Sequence, residues 1–314
     1  LAKLFLSLKC ILARNCEGTG TVTLKVYKEK REVTEMKIKK VMAGMLAMVT
    51  VMGSLMSPLS AKADQIDAPY LALGADLNET EKSTVLSLLE INEADLSSYQ
   101  VITVTNADEH KYLDSYLDSS VIGTRALSSV LIEKKDKGNG IKVTTSNITY
   151  CTTGMYQNAL ATAGVTDADV RVAGPFNISG TAALVGAMEA YSNMTGETLK
   201  AENADAATEE LVTTSDLGEA IGDKEQAEEL VGAVKEAVVS QDLSDPEEIE
   251  AVVDDAAKEM NIQLSDEDKQ KIVSLMEKIS SLDLDVDSLK EQAKDLYNKL
   301  ESLDQEEKNF WRWE

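Results

Sequence analysis

The sequence predicts an α/β fold, a mixed small sheet with helices, followed by an all-helical C-terminal part. Apolar and polar residues alternate from Gln100 to Thr105, which is typical of a half-buried strand. Further on, a helical pattern over Met155–Ala163 precedes a short apolar run at Val170–Ala173 and a second helical pattern from Ala182. This order of helix, strand, loop and helix favours layers of helices on a sheet. Beyond Lys200 the alternating pattern ends and acidic residues dominate.

The N-terminal region carries the pattern of an export signal. Residues 36–63 have a basic start, an apolar run over Val41–Met56 and a small-x-small cleavage signature ending at Ala63. An uncleaved membrane anchor is the alternative, but the apolar run is short for a membrane span. We therefore predict a signal peptide over 36–63, preceded by an upstream translated segment over 1–35.

The remaining chain divides by composition into an α/β domain over 64–198 and an acidic helical domain over 199–314. In the whole chain, 31 Lys and Arg face 55 Asp and Glu, for a formal net charge of -24. Such a surface repels nucleic acid and anionic membranes, whose binding depends on Lys and Arg. We expect no nucleic-acid partner and no stable membrane span after cleavage of the signal.

The sequence offers few residues for catalysis or metal binding. His110 is the one histidine, and Cys151 is the one cysteine after residue 63. Zinc sites need several such ligands, and no nucleophile-elbow motif is present. We expect neither metal nor cofactor, and we interpret Cys151 as a buried structural residue. A Cys151–His110 dyad remains the open alternative.

Local signals place the elements of the α/β part. Asn78 and Glu81 form a predicted capping box at the start of a helix. Further predicted elements are a helix over Asp108–Leu117 and strands over Leu127–Lys134 and Ile141–Thr145. The Asn139-Gly140 pair between these strands favours a hairpin, because both residues tolerate positive φ.

The loop between Gly174 and Thr181 is the best candidate for a binding site. We expect Gly174-Pro175 to end the preceding strand, because proline cannot donate to a sheet. The start of the next helix would then expose backbone N–H groups, which favour anions. The candidate ligand-binding residues are Asn177, Ser179, Gly180 and Thr181. The alternative is that Ser179 or Thr181 merely caps the helix.

Several motifs occur in order through the α/β part. They are Gly123-Thr-Arg-Ala-Leu-Ser-Ser-Val130, Gly140-Ile-Lys-Val143, Asn147-Ile-Thr149, Met155-Tyr-Gln-Asn-Ala-Leu160, Thr162-Ala-Gly-Val165 and Ser179-Gly-Thr-Ala-Ala-Leu184. In this combination the chain resembles the YpuA-like family of exported bacterial proteins, domain of unknown function 1002. The resemblance implies a secreted or envelope-associated protein of Gram-positive bacteria. It supplies no catalytic residues.

Helical patterns fill the acidic part. An apolar stripe over Ala227–Val238 predicts one helix, and Ser244, Ser265 and Ser288 are the predicted caps of three more. For the aromatic segment Phe310–Trp313 we expect docking on the last helix or a frayed tail, with contact to a membrane interface as the alternative.

Three functions stay open from the sequence. The favoured one is a non-enzymatic module that binds a cell-wall or envelope component or another protein. The alternative is a cell-wall-directed hydrolase using acidic residues, since paired carboxylates perform such chemistry. The third is a structural or assembly role for the helical half.

Overall fold

The computed structural model describes residues 68–196 and 198–294, which belong to one compact unit. The predicted signal peptide, the segment over 1–35 and the aromatic segment at 310–313 lie outside these residues. Among the described helices, none is both long and apolar enough to cross a membrane.

Strands and helices alternate first, and helices alone follow. The strands are β1 (Tyr70–Gly74), β2 (Gln100–Val104), β3 (Ser129–Lys134), β4 (Ile141–Ile148) and β5 (Ala168–Ile178). The helices are α1 (Glu79–Leu88), α2 (Asn106–Leu113), α3 (Ser119–Ile122), α4 (Thr153–Thr162), α5 (Thr181–Thr195), α6 (Ala201–Ile221), α7 (Lys224–Ser240), α8 (Pro246–Glu259), α9 (Asp266–Ser280) and α10 (286–294), with a 3₁₀ helix at Glu93–Ser98. This order confirms the predicted fold class.

The five strands form one mixed sheet in the order β2-β1-β3-β5-β4. β1 pairs in parallel with β2, and β4 pairs in parallel with β5. β3 lies between these two pairs and runs antiparallel to both β1 and β5. The sheet therefore consists of two βαβ units, β1-α1-β2 and β4-α4-β5, joined through one central antiparallel strand.

The predicted hairpin between β3 and β4 is wrong, because β5 lies between them. The turn itself is present, but its N–H groups bind to a distant side chain. Asp167, just before β5, accepts hydrogen bonds from the N–H groups of Gly138 at 2.9 Å and Gly140 at 3.0 Å. This carboxylate ties the turn to the entry of β5, so β5 takes the place beside β3.

Side chains of alternate strand residues build a separate core on each face of the sheet. On one face, Leu71 and Leu131 pack with Val85 and Leu86 of α1. On the other face, Val130 packs in a larger core that includes α4 and α5. The predicted capping box of α1 is confirmed, with Asn78 and Glu81 bonding each other's N–H groups at 2.9 Å.

β5 is longer than predicted and continues through Pro175 to Ile178. Its pairing with β3 ends at Ala173, and the β4 register jumps from Ser146↔Ala173 to Ile148↔Ile178. Pro175 lies inside the resulting bulge, where the register pairs no residue with it. The strand tolerates proline there for that reason.

The helical part has its own core and also contributes to the core of the sheet. Leu211 of α6 is buried with the side chains of α4 and α5, while α7, α8 and α9 enclose a second cluster.

The predicted cap of α9 at Ser265 is confirmed. Two other caps are shifted: Asp245 caps α8 instead of Ser244, and Asp285 accepts from the N–H of Ser288. The proposed domain boundary near residue 198 stays a prediction.

Candidate functional site

A cleft of about 430 Å³ lies where the N-terminus of α5 meets the loops before β3 and after β4. Small-molecule sites have volumes of this order. Its polar lining consists mostly of hydroxyl side chains, Ser120, Thr124, Ser128, Thr149, Tyr150, Ser179 and Thr181. Glu109 and Arg125 add charge, and Val121, Ile122, Leu127, Phe176 and Ile178 add apolar surface.

The turn that leads into α5 depends on Gly180. This residue is the N-cap and has a φ of 99°, in the left-handed region that favours glycine. A Cβ on Gly180 would lie 2.5 Å from the hydroxyl oxygen of Tyr156, which donates a hydrogen bond of 2.6 Å to the Gly180 carbonyl. Gly180 thus contributes to the shape of the cleft through its backbone conformation, which a residue with a side chain would not adopt without strain.

The alternative that Ser179 or Thr181 caps α5 is wrong, because the N-cap makes no side-chain hydrogen bond. Ser128, directly before β3, supplies the acceptor instead. Its Oγ accepts a 2.9 Å hydrogen bond from the N–H of Ala183 in the first turn of α5. A residue next to another strand therefore satisfies one of the free helix N–H groups, and Ser179 and Thr181 are left for other contacts.

Thr181 turns its hydroxyl toward a buried carboxylate. Its Oγ1 donates a 2.7 Å hydrogen bond to Oε1 of Glu109 on α2, whose side chain is 1% exposed. Burial raises the pKa of the Glu109 carboxyl above its ordinary value, although hydrogen bonds from Thr181 and Asn106 oppose this. The carboxylate is held by the side chain of the first residue of α5, at the end of the helix that carries the positive end of its dipole.

The structure brings some of the sequence-predicted site residues together at the cleft. Ser179 and Thr181 line it, and their hydroxyl oxygens are 3.2 Å apart. Gly180 lies buried between them. Asn177 is exposed at the end of β5 and is outside the lining, while its neighbours Phe176 and Ile178 are part of it.

Sequence reasoning missed the other lining residues, and Glu109, Phe176 and Tyr150 are the most informative of these. Glu109 is one acidic residue among 55, and no pattern distinguishes it. Phe176 is one of only three phenylalanines and directly follows a proline, which was a usable signal. Its side chain is 48% exposed, which is unusual for so large an apolar residue. Tyr150 forms part of the lining beside the helical part.

Cys151 and His110 do not act as a pair. The ring of His110 lies 2.5 Å from Asp114, one turn further along the chain, which raises the pKa of the imidazole. Cys151 is 1% exposed and free, and burial raises the pKa of its thiol to about 12. A catalytic thiol needs a lowered pKa and a base. Cys151 is therefore a buried structural residue.

A second cavity of about 250 Å³ lies between the end of α5 and the start of α10. Several of its polar groups are already used within the fold. The Tyr191 hydroxyl contacts Thr166, and the amide of Asn203 donates to the Thr162 carbonyl at 2.9 Å. Within residues 68–196 and 198–294, no cluster of His, Cys, Asp or Glu is suited to hold a metal.

Comparison with known proteins shows the family of this chain. Residues 73–296 match the model of a family described as "Protein of unknown function (DUF1002)". The chain belongs to the DUF1002 family. It is also 42% identical over 278 residues to "Uncharacterized protein YpuA" of Bacillus subtilis (strain 168), covering 87% of this chain and 93% of that protein. No solved structure matches.

The DUF1002 match includes both the sheet and the helical part, so the cleft and the helices beside it fall within one family unit. The relative's description carries no activity that could be transferred.

Proposed function

We propose that this DUF1002 protein is an exported, non-enzymatic binding module whose cleft recognises a neutral saccharide of the cell envelope. The observation that carries the proposal is the lining: many hydroxyl groups, one buried carboxylate and one exposed phenyl ring. Sugars present hydroxyl groups to such donors and acceptors and an apolar ring face to aromatic side chains. Export is supported by the signal-like segment over 36–63.

The buried carboxylate of Glu109 supports the proposal that the ligand is neutral. Glu109 contacts the first residue of α5, and its hydrogen-bond donors are a hydroxyl and an amide rather than a cation. Arg125, the cation of the lining, is already paired with Glu81 at 2.6 Å. A phosphate or carboxylate in the cleft would meet this negative charge at short range. A neutral ligand can instead donate a hydroxyl proton to the free lone pairs of Glu109.

A two-carboxylate hydrolase fits the cleft less well. Glycoside hydrolysis by this route needs two carboxyl groups about 5 to 9.5 Å apart on either side of the bond. Glu109 is the one carboxylate among the described residues that line the cleft. Binding without cleavage is therefore the function that the lining supports best.

The test uses isothermal titration of the purified protein with a soluble, neutral oligomer of N-acetylglucosamine. Poly(glycerol phosphate), an anionic envelope-type polymer, serves as the comparison. We expect binding of the neutral oligomer and no binding of the anionic polymer. Preference for the polymer, or no binding of the oligomer, would contradict the proposal.

Phe176→Ala tests whether the heat measured in the titration comes from binding in the cleft. Because the ring is half-exposed, its loss should leave folding intact while weakening binding about tenfold or more, on the scale of a stacked aromatic contact. Leu88→Ala is the matched control, since Leu88 is also a partly exposed apolar residue, 37% exposed on α1 and outside the cleft lining.

A further inference from the structure

The cleft has one wall that is held by the helical part of the chain. The connector between β4 and α4, Tyr150-Cys151-Thr152, contributes Tyr150 to the cleft lining. The N–H of Cys151 donates to the carbonyl of Ser179 at 3.1 Å, so the connector is tied to the loop before α5. The two cleft residues Tyr150 and Ser179 are therefore fixed relative to each other.

The first two turns of α7 contact this connector at Tyr150 and at Thr152. Lys224 Nζ donates to the carbonyl oxygen of Tyr150 at 3.3 Å and lies 5.5 Å from the centre of its ring. One turn later, Glu228 accepts a hydrogen bond from the hydroxyl of Thr152, the N-cap of α4. A cation above a tyrosine ring and a charge-assisted hydrogen bond both restrict the geometry.

α6 leaves room for this contact. Gly218 has no side chain, and a Cβ there would lie 2.9 Å from Cγ of Lys224 and 3.0 Å from its Cα. The stem of Lys224 can therefore lie close against α6 while its ammonium group reaches Tyr150.

We infer that Lys224 is a positioning residue for the cleft: it sets the orientation of Tyr150 and so determines how tightly the saccharide is bound. The inference rests on the proposed function. Lys224 is not among the residues that line the cleft, so its effect on binding passes through Tyr150. The helical part of the chain is thereby a component of the binding site.

The experiment measures the affinity of the purified protein for the soluble N-acetylglucosamine oligomer by isothermal titration. Lys224→Met keeps the apolar stem but removes the charge, and should weaken binding about three- to tenfold. Lys224→Arg restores a cation and should recover most of the affinity. Lys269→Met is the control, because Lys269 is a partly buried lysine that pairs with Asp254 on α8.

Two further variants separate positioning from a general loss of stability. In a Tyr150→Leu background, Lys224→Met should cause no additional loss, since interacting residues give non-additive effects. Gly218→Ala should weaken binding even though alanine is the better helix former, because its Cβ displaces Lys224. Wild-type affinity in Lys224→Met, or losses that add with Tyr150→Leu, would overturn the inference. Absent binding by the wild-type protein would instead refute the proposed function.

Discussion

The hydroxyl of Thr181 lies 2.7 Å from Oε1 of Glu109, so the first residue of α5 holds a buried carboxylate on α2. The side chain of Glu109 is 1% exposed, and Asn106 is its other hydrogen-bond donor, at 3.3 Å. These two neutral donors do not replace all the water that a carboxylate loses on burial. Burial therefore outweighs the hydrogen bonds, and the pKa of Glu109 is raised.

Glu109→Gln should increase the stability of the protein, relative to the wild type, more at alkaline pH than at acid pH. A carboxyl with a raised folded-state pKa is protonated below its unfolded pKa and costs nothing there. As pH rises from the unfolded pKa to the folded pKa, the unfolded chain releases a proton that the folded protein retains, and stability falls. Glutamine carries no charge and can still accept from Thr181.

The measurement compares urea unfolding of the variant and the wild type at pH 4 and pH 8. The unfolding free energy of the variant minus that of the wild type should be larger at pH 8 than at pH 4. Glu79→Gln, at an exposed position in α1, is the control and should show no comparable shift. A pH-independent difference for Glu109→Gln would show that the carboxyl is not perturbed by burial.

Gly180→Ala should destabilise the fold more than Gly196→Ala. Both glycines have positive φ, 99° and 71°, and flank the same helix. A Cβ at Gly196 meets nothing within 4 Å, so its cost is the backbone strain of about 1–2 kcal/mol. A Cβ at Gly180 also collides with Tyr156 and Ile148, which adds about 1–3 kcal/mol. Chemical denaturation of both variants checks this order, and equal losses would contradict it.

Features set by neighbouring residues were predictable from the sequence, while features set by distant residues were not. The capping box of Asn78 and Glu81 was correct because the two partners are three residues apart. The hairpin was wrong because Asp167, 27 residues after Gly140, holds the turn. The N-cap of α5 was wrong because its acceptor, Ser128, is 55 residues from Ala183.

In the candidate site, too, the residues with a local signal were predictable and those brought in from distant elements were not. Ser179 and Thr181 were found from the local signal of a strand-to-helix turn, and both line the cleft. Glu109 comes from α2, 72 residues before Thr181, and no periodicity relates the two. The proposed ligand class also changes for this reason: the turn alone favours an anion, but the carboxylate beside it favours the proposed neutral ligand.

The thiol of Cys151 should resist alkylation in the folded protein. It is 1% exposed, and its pKa is raised to about 12, so almost no thiolate exists at neutral pH. Iodoacetamide treatment followed by peptide mass spectrometry should show Cys151 modified only after denaturation. Cys151→Ala should cost about 1 kcal/mol and leave saccharide binding intact. Rapid modification of native Cys151, or lost binding with unchanged stability, would argue for thiol chemistry.

Lys235→Met should destabilise the protein by about 3–5 kcal/mol, because it leaves a buried carboxylate without its cation. Lys235 Nζ lies 2.8 Å from Oε1 of Glu210, and the two side chains are 1% and 0% exposed. Oε1 accepts no well-aligned hydrogen bond, so the pairing is chiefly electrostatic. Adding Glu210→Leu should recover much of the loss. A double-mutant cycle measures this coupling, and purely additive losses would show that the pair is not coupled.

Glu229→Gln should stabilise the protein at pH 8 and have little effect at pH 4. The side chain on α7 is 8% exposed, and its Oε2 has no hydrogen-bond partner among the described residues. Burial raises its pKa from 4.5 to about 7. Between these values the unfolded chain releases a proton that the folded protein retains, so stability falls as pH rises and the full cost is present above pH 7.

The shift in pKa corresponds to a cost on the order of 3 kcal/mol at pH 8, which the neutral glutamine removes. Unfolding free energies of the wild type and the variant at the two pH values give the measurement. Glu225→Gln is the matched control, because Glu225 is exposed in the first turn of the same helix and should lose only a few tenths of a kcal/mol at the higher pH. A gain for Glu229→Gln that is equal at both pH values would mean that packing, rather than the buried charge, limits stability at this position.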